Sequence, residues 1–302
     1  MANNNTFDVI IVGGSYAGLS AAMALGRSLR SVLIIDSGKP CNRQTPHSHN
    51  FLTQDGKTPL EISNIAKEQV LQYNTVIFKQ GRATTGRKIQ NGFEIQTQSG
   101  DVYISKKIIF ATGLKDIPPN IEGYSECWGI SIIHCPYCHG YEVKNKKTGI
   151  MANGDIANHY APLIANLTKD LILITNGKST LTEEQTNKIR KNNIKIIEKK
   201  INRIKHENGK MQQVVFEDES TIQIDALYSS PDAIQHSDIP EKLGCQFTEE
   251  GLIKVDDFQQ TTINGVYACG DNSNKRAVSL AVSNGSISGV HINNSLALED
   301  FG

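Results

Sequence analysis

Cys135 and Cys138, in the run Cys135-Pro136-Tyr137-Cys138, are the closest pair among the six cysteines of the chain. At that spacing a disulfide can close when one sulfur lies at or near a helix start, where the positive helix end also favours a thiolate. Thiol–disulfide exchange needs one thiolate to attack and the leaving sulfur to be protonated, so a titratable neighbour is expected. His139 follows the pair directly and His134 precedes it. Two other readings stand beside this one. Zinc would need four ligands, and no second Cys-x-x-Cys or His pair follows at a suitable spacing, so no metal is expected. Inert core thiols are the remaining possibility. Cys41, Cys127, Cys245 and Cys269 are isolated and are expected to be buried or incidental.

A second constellation is Gly13-Gly14-Ser15-Tyr16-Ala17-Gly18, placed where a strand feeds a helix. Backbone N–H groups and the positive helix end converge there on a spot suited to a pyrophosphate. Asp36 ends the next strand, where a carboxylate can take the hydroxyls of an adenosine ribose. Gly13, Gly14, Ser15, Gly18 and Asp36 together therefore signal an adenine dinucleotide, against the blander reading of a plain glycine turn. Ser15 stands at the middle glycine, so this loop must tolerate a Cβ. The pattern recurs in eroded form further on, with Ala152, Gly154 and Ala157 at the three glycine positions. After the following strand comes Thr175-Asn176-Gly177-Lys178, with neither an acid for a ribose diol nor an arginine cluster for a 2′-phosphate. This second copy suits a retained scaffold better than an NADPH site.

The elements that must position these residues read as α/β throughout. Asp8 to Val12 is a buried strand, Ala17 to Arg30 an alanine-rich helix and Val32 to Ile35 a second strand, which makes a βαβ unit on a parallel sheet. Ser37 to Thr58 is polar loop, Pro59 to Tyr73 helix and Thr75 to Lys79 strand. Short β runs at Lys88 to Ile89, Phe93 to Thr97 and Val102 to Ile104, punctuated by Asn91-Gly92 and Ser99-Gly100, read as hairpins. Ile108 to Phe110 is a strand ending in Ala111-Thr112-Gly113, and Pro118-Pro119 marks a crossing. The opening pattern then repeats: strand at Gly149 to Ala152, helix at Ala157 to Leu167, strand at Leu171 to Thr175. Ile194 to Ile197, Gln212 to Phe216 and Ala226 to Ser229 add strands before Pro231 and Pro240. Gly265 to Ala268 is a last strand and Ala277 to Leu298 a closing helix. The expected architecture is two Rossmann-like three-layer domains, the first interrupted by the second: residues 1–115 and 241–302 around an insert at 116–240 that carries the cysteine pair.

Composition limits what such a chain can do. The 302 residues carry 31 Lys+Arg against 31 Asp+Glu, so no bulk field draws it to nucleic acid or acidic membrane surfaces. No apolar run approaches the roughly 20 residues needed to cross a bilayer. The start Met1-Ala2-Asn3-Asn4-Asn5 lacks a basic n-region, which leaves a cytoplasmic location as the expectation.

In this order and spacing, the glycine turn with Asp36, the Ala111-Thr112-Gly113 run, Cys135 to Cys138 and Cys269-Gly270-Asp271 before the last helix resemble the low-molecular-weight thioredoxin reductase family of FAD-dependent disulfide oxidoreductases. The resemblance covers essentially the whole chain. It implies FAD across the first βαβ unit, Gly270 and Asp271 at its ribityl and phosphate portion, and the last helix, starting near Arg276 to Val278 (with Ala277 and Val278 at the cofactor), with its positive end toward the flavin. It implies Cys138 as the sulfur against the flavin, Cys135 as the sulfur that exchanges with the partner, and a homodimer. Two departures stand out: His139 replaces the usual acid after the second cysteine, and the basic stretch for NADPH is missing. In both, the chain looks like the branch that includes the dithiol oxidases of gliotoxin and holomycin, as does the stretch His47-Ser48-His49-Asn50 with Thr53-Gln54-Asp55-Gly56. That branch implies a small dithiol as partner, His139 as the base that takes a proton from a substrate thiol or from Cys135, and O2 as electron acceptor. The alternative direction is an NADPH- or ferredoxin-fed reductase of thioredoxin or a small disulfide. A flavin-bearing redox sensor is the third possibility, and its cue, an appended recognition module, has little room in this length.

Overall fold

A computed structural model describes residues 5–302; Met1 to Asn4, on which most of the expectation about a leader rests, lie outside the described residues. The chain opens with β1 (Thr6–Val12), α1 (Tyr16–Arg27) and β2 (Val32–Asp36). No regular element follows until α2 (Pro59–Leu71), which leads to β3 (Val76–Gln80), β4 (Ala83–Ile89), β5 (Gly92–Thr97), β6 (Val102–Phe110) and β7 (Leu114–Ile117). Then come α3 (Tyr124–Cys127), β8 (Ile132–Ile133), α4 (Pro136–His139), β9 (Thr148–Met151), α5 (Gly154–Ala165), β10 (Leu171–Ile174), α6 (Glu183–Lys191) and β11 (Lys195–Ile197). The series ends with β12 (Ile201–Glu207), β13 (Lys210–Phe216), β14 (Thr221–Gln223), β15 (Ala226–Ser229), β16 (Asp232–Gln235), α7 (Ile239–Lys242), β17 (Val266–Ala268) and α8 (Val278–Phe301). Two compact units result. One holds the residues up to Arg43, Leu60–Lys115 and Ala233–Gly302; the other holds Gln44–Pro59 and Asp116–Asp232.

The first unit is built on a seven-stranded sheet ordered β3-β2-β1-β6-β5-β4, with β17 also pairing β6. β1, β2, β3, β6 and β17 run parallel, and the β4–β5–β6 meander is antiparallel. Side chains alternate across β1 as strand geometry demands. Val9 and Ile11 join the core under α1 and α8, whereas Ile10 and Val12 join the core that contains Phe93, Ile95 and Ile253. A strand buried on both faces explains the unbroken apolar run of β1.

The last helix lies on α1 through small residues. A Cβ at Gly285 would overlap the Ala17 carbonyl oxygen, and one at Gly289 would stand 2.6 Å from that of Ala21. The Ser20 hydroxyl donates to the Val282 carbonyl at 2.6 Å across the same contact, and Arg30 Nε donates to Asn293 Oδ1 at 2.9 Å further along. Backbone-to-backbone approach of this kind fixes how closely α8 lies on α1.

The second unit repeats the logic with a parallel sheet ordered β11-β10-β9-β15-β8. Ile150, Leu171 and Leu173 pack with Ala157, Ala161 and Ile164 of α5 on one face. Ile172, Ile174 and Leu227 pack on the other, against Ile204, Val214 and Phe216 of the antiparallel β12-β13-β14 sheet. Both units are thus three-layered and Rossmann-like, as expected.

Several short elements were not expected, among them α6 and β12. α6 is mostly polar, but Thr182 Oγ1 accepts from Gln185 N at 3.2 Å while Gln185 Oε1 accepts from Thr182 N at 3.0 Å. This capping box, rather than an apolar stripe, was the readable signal. β12 carries few apolar residues and is held by pairing with β13 across two register shifts. α5 starts at Gly154, three residues before the expected Ala157, because Asn153 caps it. Among the described residues no helix is long and apolar enough to cross a membrane.

Overpacking the α1–α8 contact is expected to cost about 1–3 kcal/mol. Gly285→Ala should therefore lower the urea midpoint measured by far-UV circular dichroism, while Ser286→Ala, on the exposed side of the same helix, should stay within about 0.5 kcal/mol of the parent.

Candidate functional site

The glycine turn between β1 and α1 is closed by neighbours that leave no space for side chains. Gly13 adopts φ +107°, and a Cβ there would overlap the Ala111 carbonyl oxygen at the end of β6. The Gly14 N–H donates to Asp36 Oδ2 at 2.7 Å and the Gly38 N–H donates to Asp36 Oδ1 at 2.7 Å, so the turn and the carboxylate ending β2 are locked together. On the far side, a Cβ at Gly270 would come within 3.0 Å of Ala17 Cβ. Asn272 Nδ2 donates to the Phe110 carbonyl at 2.9 Å and to Thr112 Oγ1 at 3.3 Å. Gly13, Gly14, Ser15, Gly18, Asp36, Ala111, Thr112, Gly113, Gly270, Asp271, Ala277 and Val278 accordingly all fall in the first unit, around the start of α1 and the carboxyl ends of β1, β2, β6 and β17. In open α/β sheets that is where ligands bind.

The residues at this spot fit a dinucleotide. Ser15 is the N-cap of α1 but makes no side-chain hydrogen bond to the helix, and the first turn carries no acid. The positive end of a 12-residue helix is therefore left for an anion. Asn272, fully buried, has an Oδ1 with no hydrogen-bond partner among the described residues. Asn272 was missed in the sequence; its only signal is its position directly after Cys269-Gly270-Asp271.

The corresponding helix start in the second unit differs. Asn153 caps α5 with its own side chain, its Oδ1 accepting from Gly154 N at 3.0 Å and from Thr180 N at 2.8 Å, and its Nδ2 donating to the Lys178 carbonyl at 2.9 Å. Asp155 adds a carboxylate to the first turn. Thr175 donates to the Gly177 carbonyl at 2.6 Å, and Asn176 Oδ1 accepts from Ile201 N at 2.8 Å. These side chains close the loop around the helix start.

The sulfur pair sits where the edge strand β8 leaves its sheet. Cys135 and Cys138 are joined in a disulfide with Cα atoms 5.2 Å apart. Pro136 occupies the first turn of the single-turn helix α4, where its missing N–H is no loss. Cys135 is the N-cap, and its Sγ accepts from the Cys138 N–H at 3.1 Å. One donor aimed at Sγ stabilises a thiolate there when the disulfide opens. Tyr160 donates to the His134 carbonyl at 2.9 Å and so anchors the residue before the pair. On the other side, a Cβ at Gly140 would lie 2.5 Å from Leu167 Cδ1 and 2.9 Å from the Tyr228 hydroxyl, so the redox turn rests directly on the core. Among the described residues no group of three or more His, Cys, Asp or Glu side chains could hold a metal ion.

His139 is partly buried, and burial pushes its imidazole below the ordinary pKa; Glu142 opposes this and His49 adds to it. Glu142 went unread in the sequence, where only its spacing from His139 pointed to it. Burial also raises the thiols of Cys127, Cys245 and Cys269, the last to about 12, which agrees with core thiols. Cys41 is exposed.

Comparison with known proteins adds the following. A model of the pyridine nucleotide-disulphide oxidoreductases matches residues 7–285. The thioredoxin reductase tcpT of Claviceps purpurea is 32% identical over 285 residues, 90% of this chain and 88% of its own. The thioredoxin reductase of Ureaplasma parvum is 28% identical over 96% of each chain. Among solved structures, an oxidoreductase from Agrobacterium tumefaciens superposes with a TM-score of 0.91 at 35% identity, over 97% of this chain and 99% of that one.

Asp36→Ala removes the carboxylate that the sequence predicts as the ribose ligand, and losing charge-assisted hydrogen bonds of about 1.5–3 kcal/mol is expected to weaken FAD binding roughly ten- to hundredfold. Fluorescence titration of the apoprotein with FAD checks this; affinity equal to the parent would remove Asp36 from the site.

Proposed function

The chain belongs to the pyridine nucleotide-disulphide oxidoreductase family, as a thioredoxin reductase-like, flavin-dependent disulfide oxidoreductase; from this premise we propose that it oxidises a small dithiol through Cys135–Cys138, with O2 as the final electron acceptor. FAD, when bound, supplies the two-electron carrier between the cysteines and that acceptor. The residues assigned to hold it are Gly13, Gly14, Ser15, Gly18, Asp36, Ala111 to Gly113, Gly270, Asp271, Ala277 and Val278, within a cofactor domain at 1–115 and 241–302. The insert at 116–240 is then an NADPH-type domain that no longer needs NADPH. The enzyme is taken as a cytoplasmic homodimer.

The protein's own steps follow from the sulfur turn. His139, neutral at physiological pH because its burial lowers the pKa, takes the proton from a substrate thiol. The resulting thiolate attacks Cys135 Sγ, the S–S bond breaks, and Cys138 leaves as a thiolate. The second substrate thiol then attacks the mixed disulfide, releasing oxidised substrate and Cys135. Two electrons and two protons have moved to the protein, and their passage from Cys138 to O2 gives hydrogen peroxide, so dithiol plus O2 becomes disulfide plus peroxide. Tyr137, within the pair, and Tyr141, three residues after Cys138, are exposed.

The observation that carries the direction is the start of α5. Its N-terminus is capped by the Asn153 side chain, and neither an acid nor an arginine cluster follows β10, so the ordinary means of holding NADPH are missing. The relatives named thioredoxin reductases favour the reverse reading, in which NADPH or ferredoxin feeds reduction of thioredoxin or a small disulfide.

Anaerobic mixing separates the two. Dithiothreitol should bleach the flavin absorbance and air should restore it, with peroxide formed in equal amount, while NADPH should leave the spectrum unchanged over the same time. Rapid bleaching by NADPH would overturn the oxidase reading. Cys138→Ser should abolish dithiol-dependent oxygen uptake, and His139→Ala should lower it about a hundredfold at neutral pH.

A further inference from the structure

The loop Gln44–Pro59 belongs to the unit that carries the sulfur pair. It is closed on itself: the Ser48 N–H donates to the Lys57 carbonyl at 2.8 Å, the Gly56 N–H to the Ser48 carbonyl at 2.9 Å, and the Asn50 N–H to Asp55 Oδ1 at 2.7 Å. His47 Nδ1 lies 2.9 Å from the Gly56 carbonyl oxygen. His49, the less exposed partner in each of its ion-pair contacts, stands between two carboxylates, with Nδ1 3.4 Å from Asp55 Oδ2 and Nε2 3.4 Å from Glu142 Oε1. Glu142 lies three residues after His139, just past the redox helix. Its charge acts on three titratable groups: His49 by direct contact, and His139 and the buried Tyr228 through space. The charges that act on His139 are those of Glu142 and His49, which touch each other; Asp55 contacts His49 from the other side, and Tyr160 packs near Tyr228.

We propose that Glu142 and His49 are positioning residues for dithiol exchange at Cys135–Cys138: Glu142 stabilises the proton that His139 acquires, and His49, clasped to Glu142, limits that stabilisation and holds the loop against the redox turn. This rests on His139 being the base. Without Glu142, burial and His49 alone would act on the imidazole and weaken it as a base, whereas an unshared carboxylate would raise its affinity for the proton. Sharing one carboxylate between two imidazoles sets the balance.

The signs are opposite and therefore diagnostic. Exchange rises with pH as His139 loses its proton, so the acid limb of the rate reports its pKa. Glu142→Gln removes the carboxylate, lowers that pKa and moves the limb to lower pH. His49→Gln frees Glu142 from its 3.4 Å contact, which moves the limb to higher pH. Each shift is expected to be roughly half a unit or more.

The test uses the oxidised holoenzyme under anaerobic conditions, reduced by dithiothreitol between about pH 4.5 and 8. The Cys135–Cys138 disulfide is scored by acid quench, alkylation and mass alongside the flavin absorbance, so that electrons passed on to the flavin are counted with the thiols. Imidazole titration of His139 by NMR in the same variants gives the pKa without turnover. Opposite shifts in Glu142→Gln and His49→Gln support the proposal. Unmoved midpoints with only a lower plateau would leave both residues merely structural and overturn it. His139→Ala distinguishes the premise: an acid limb that persists in that variant overturns the base itself, whereas a limb lost there but unmoved in the other two overturns the positioning alone.

Discussion

The contact between the Gly13 turn and the Ala111 carbonyl is the constraint on which the first unit depends. Only a residue without a side chain lets β1 end against β6 this closely, and only then do the start of α1, the Asp36 carboxylate and the Asn272 amide converge. The same economy of side chains recurs where Gly285 and Gly289 bring α8 down on α1. Burial of Val9, Ile11, Leu19 and Ile292 around these approaches supplies the cohesive energy, and the glycines decide where it is spent.

The two βαβ units show how little of the chemistry of such a motif resides in its fold. α1 and α5 both follow a buried parallel strand and both lie against a three-layer core. The first leaves its helix start uncapped and free of acids; the second fills it with the Asn153 amide and places Asp155 in the first turn. An anion gains from the first, and the second is already occupied by the Asn153 side chain. A family resemblance across the whole chain therefore does not carry every site of the family with it.

At the sulfur turn, electrostatics are set by groups distant in sequence. One backbone N–H addresses Cys135 Sγ, too little by itself to define a reactive site. The remainder comes from burial of His139 and from Glu142, which is shared with His49 of a loop about ninety residues away in sequence. A half-buried imidazole is sensitive to such neighbours because protein and solvent screen them only in part.

The residues alone determined a great deal. Period-two and period-3.6 apolar patterning, with glycine and proline punctuation, revealed two α/β units and most of their strands, because buried parallel strands are apolar throughout. Gly13 to Gly18 with Asp36, and Cys135 to Cys138 with His139, were legible as chemistry because their partners lie close in sequence. Residues whose partners lie far away were not legible. Asn272 acts on Phe110 and Thr112, Glu142 acts on His49, and the Gln44–Pro59 loop joins the unit of the sulfur pair rather than that of its chain neighbours. These are consequences of where the backbone brings distant side chains together, and distance in space, unlike spacing along the chain, is decided only when the cores close.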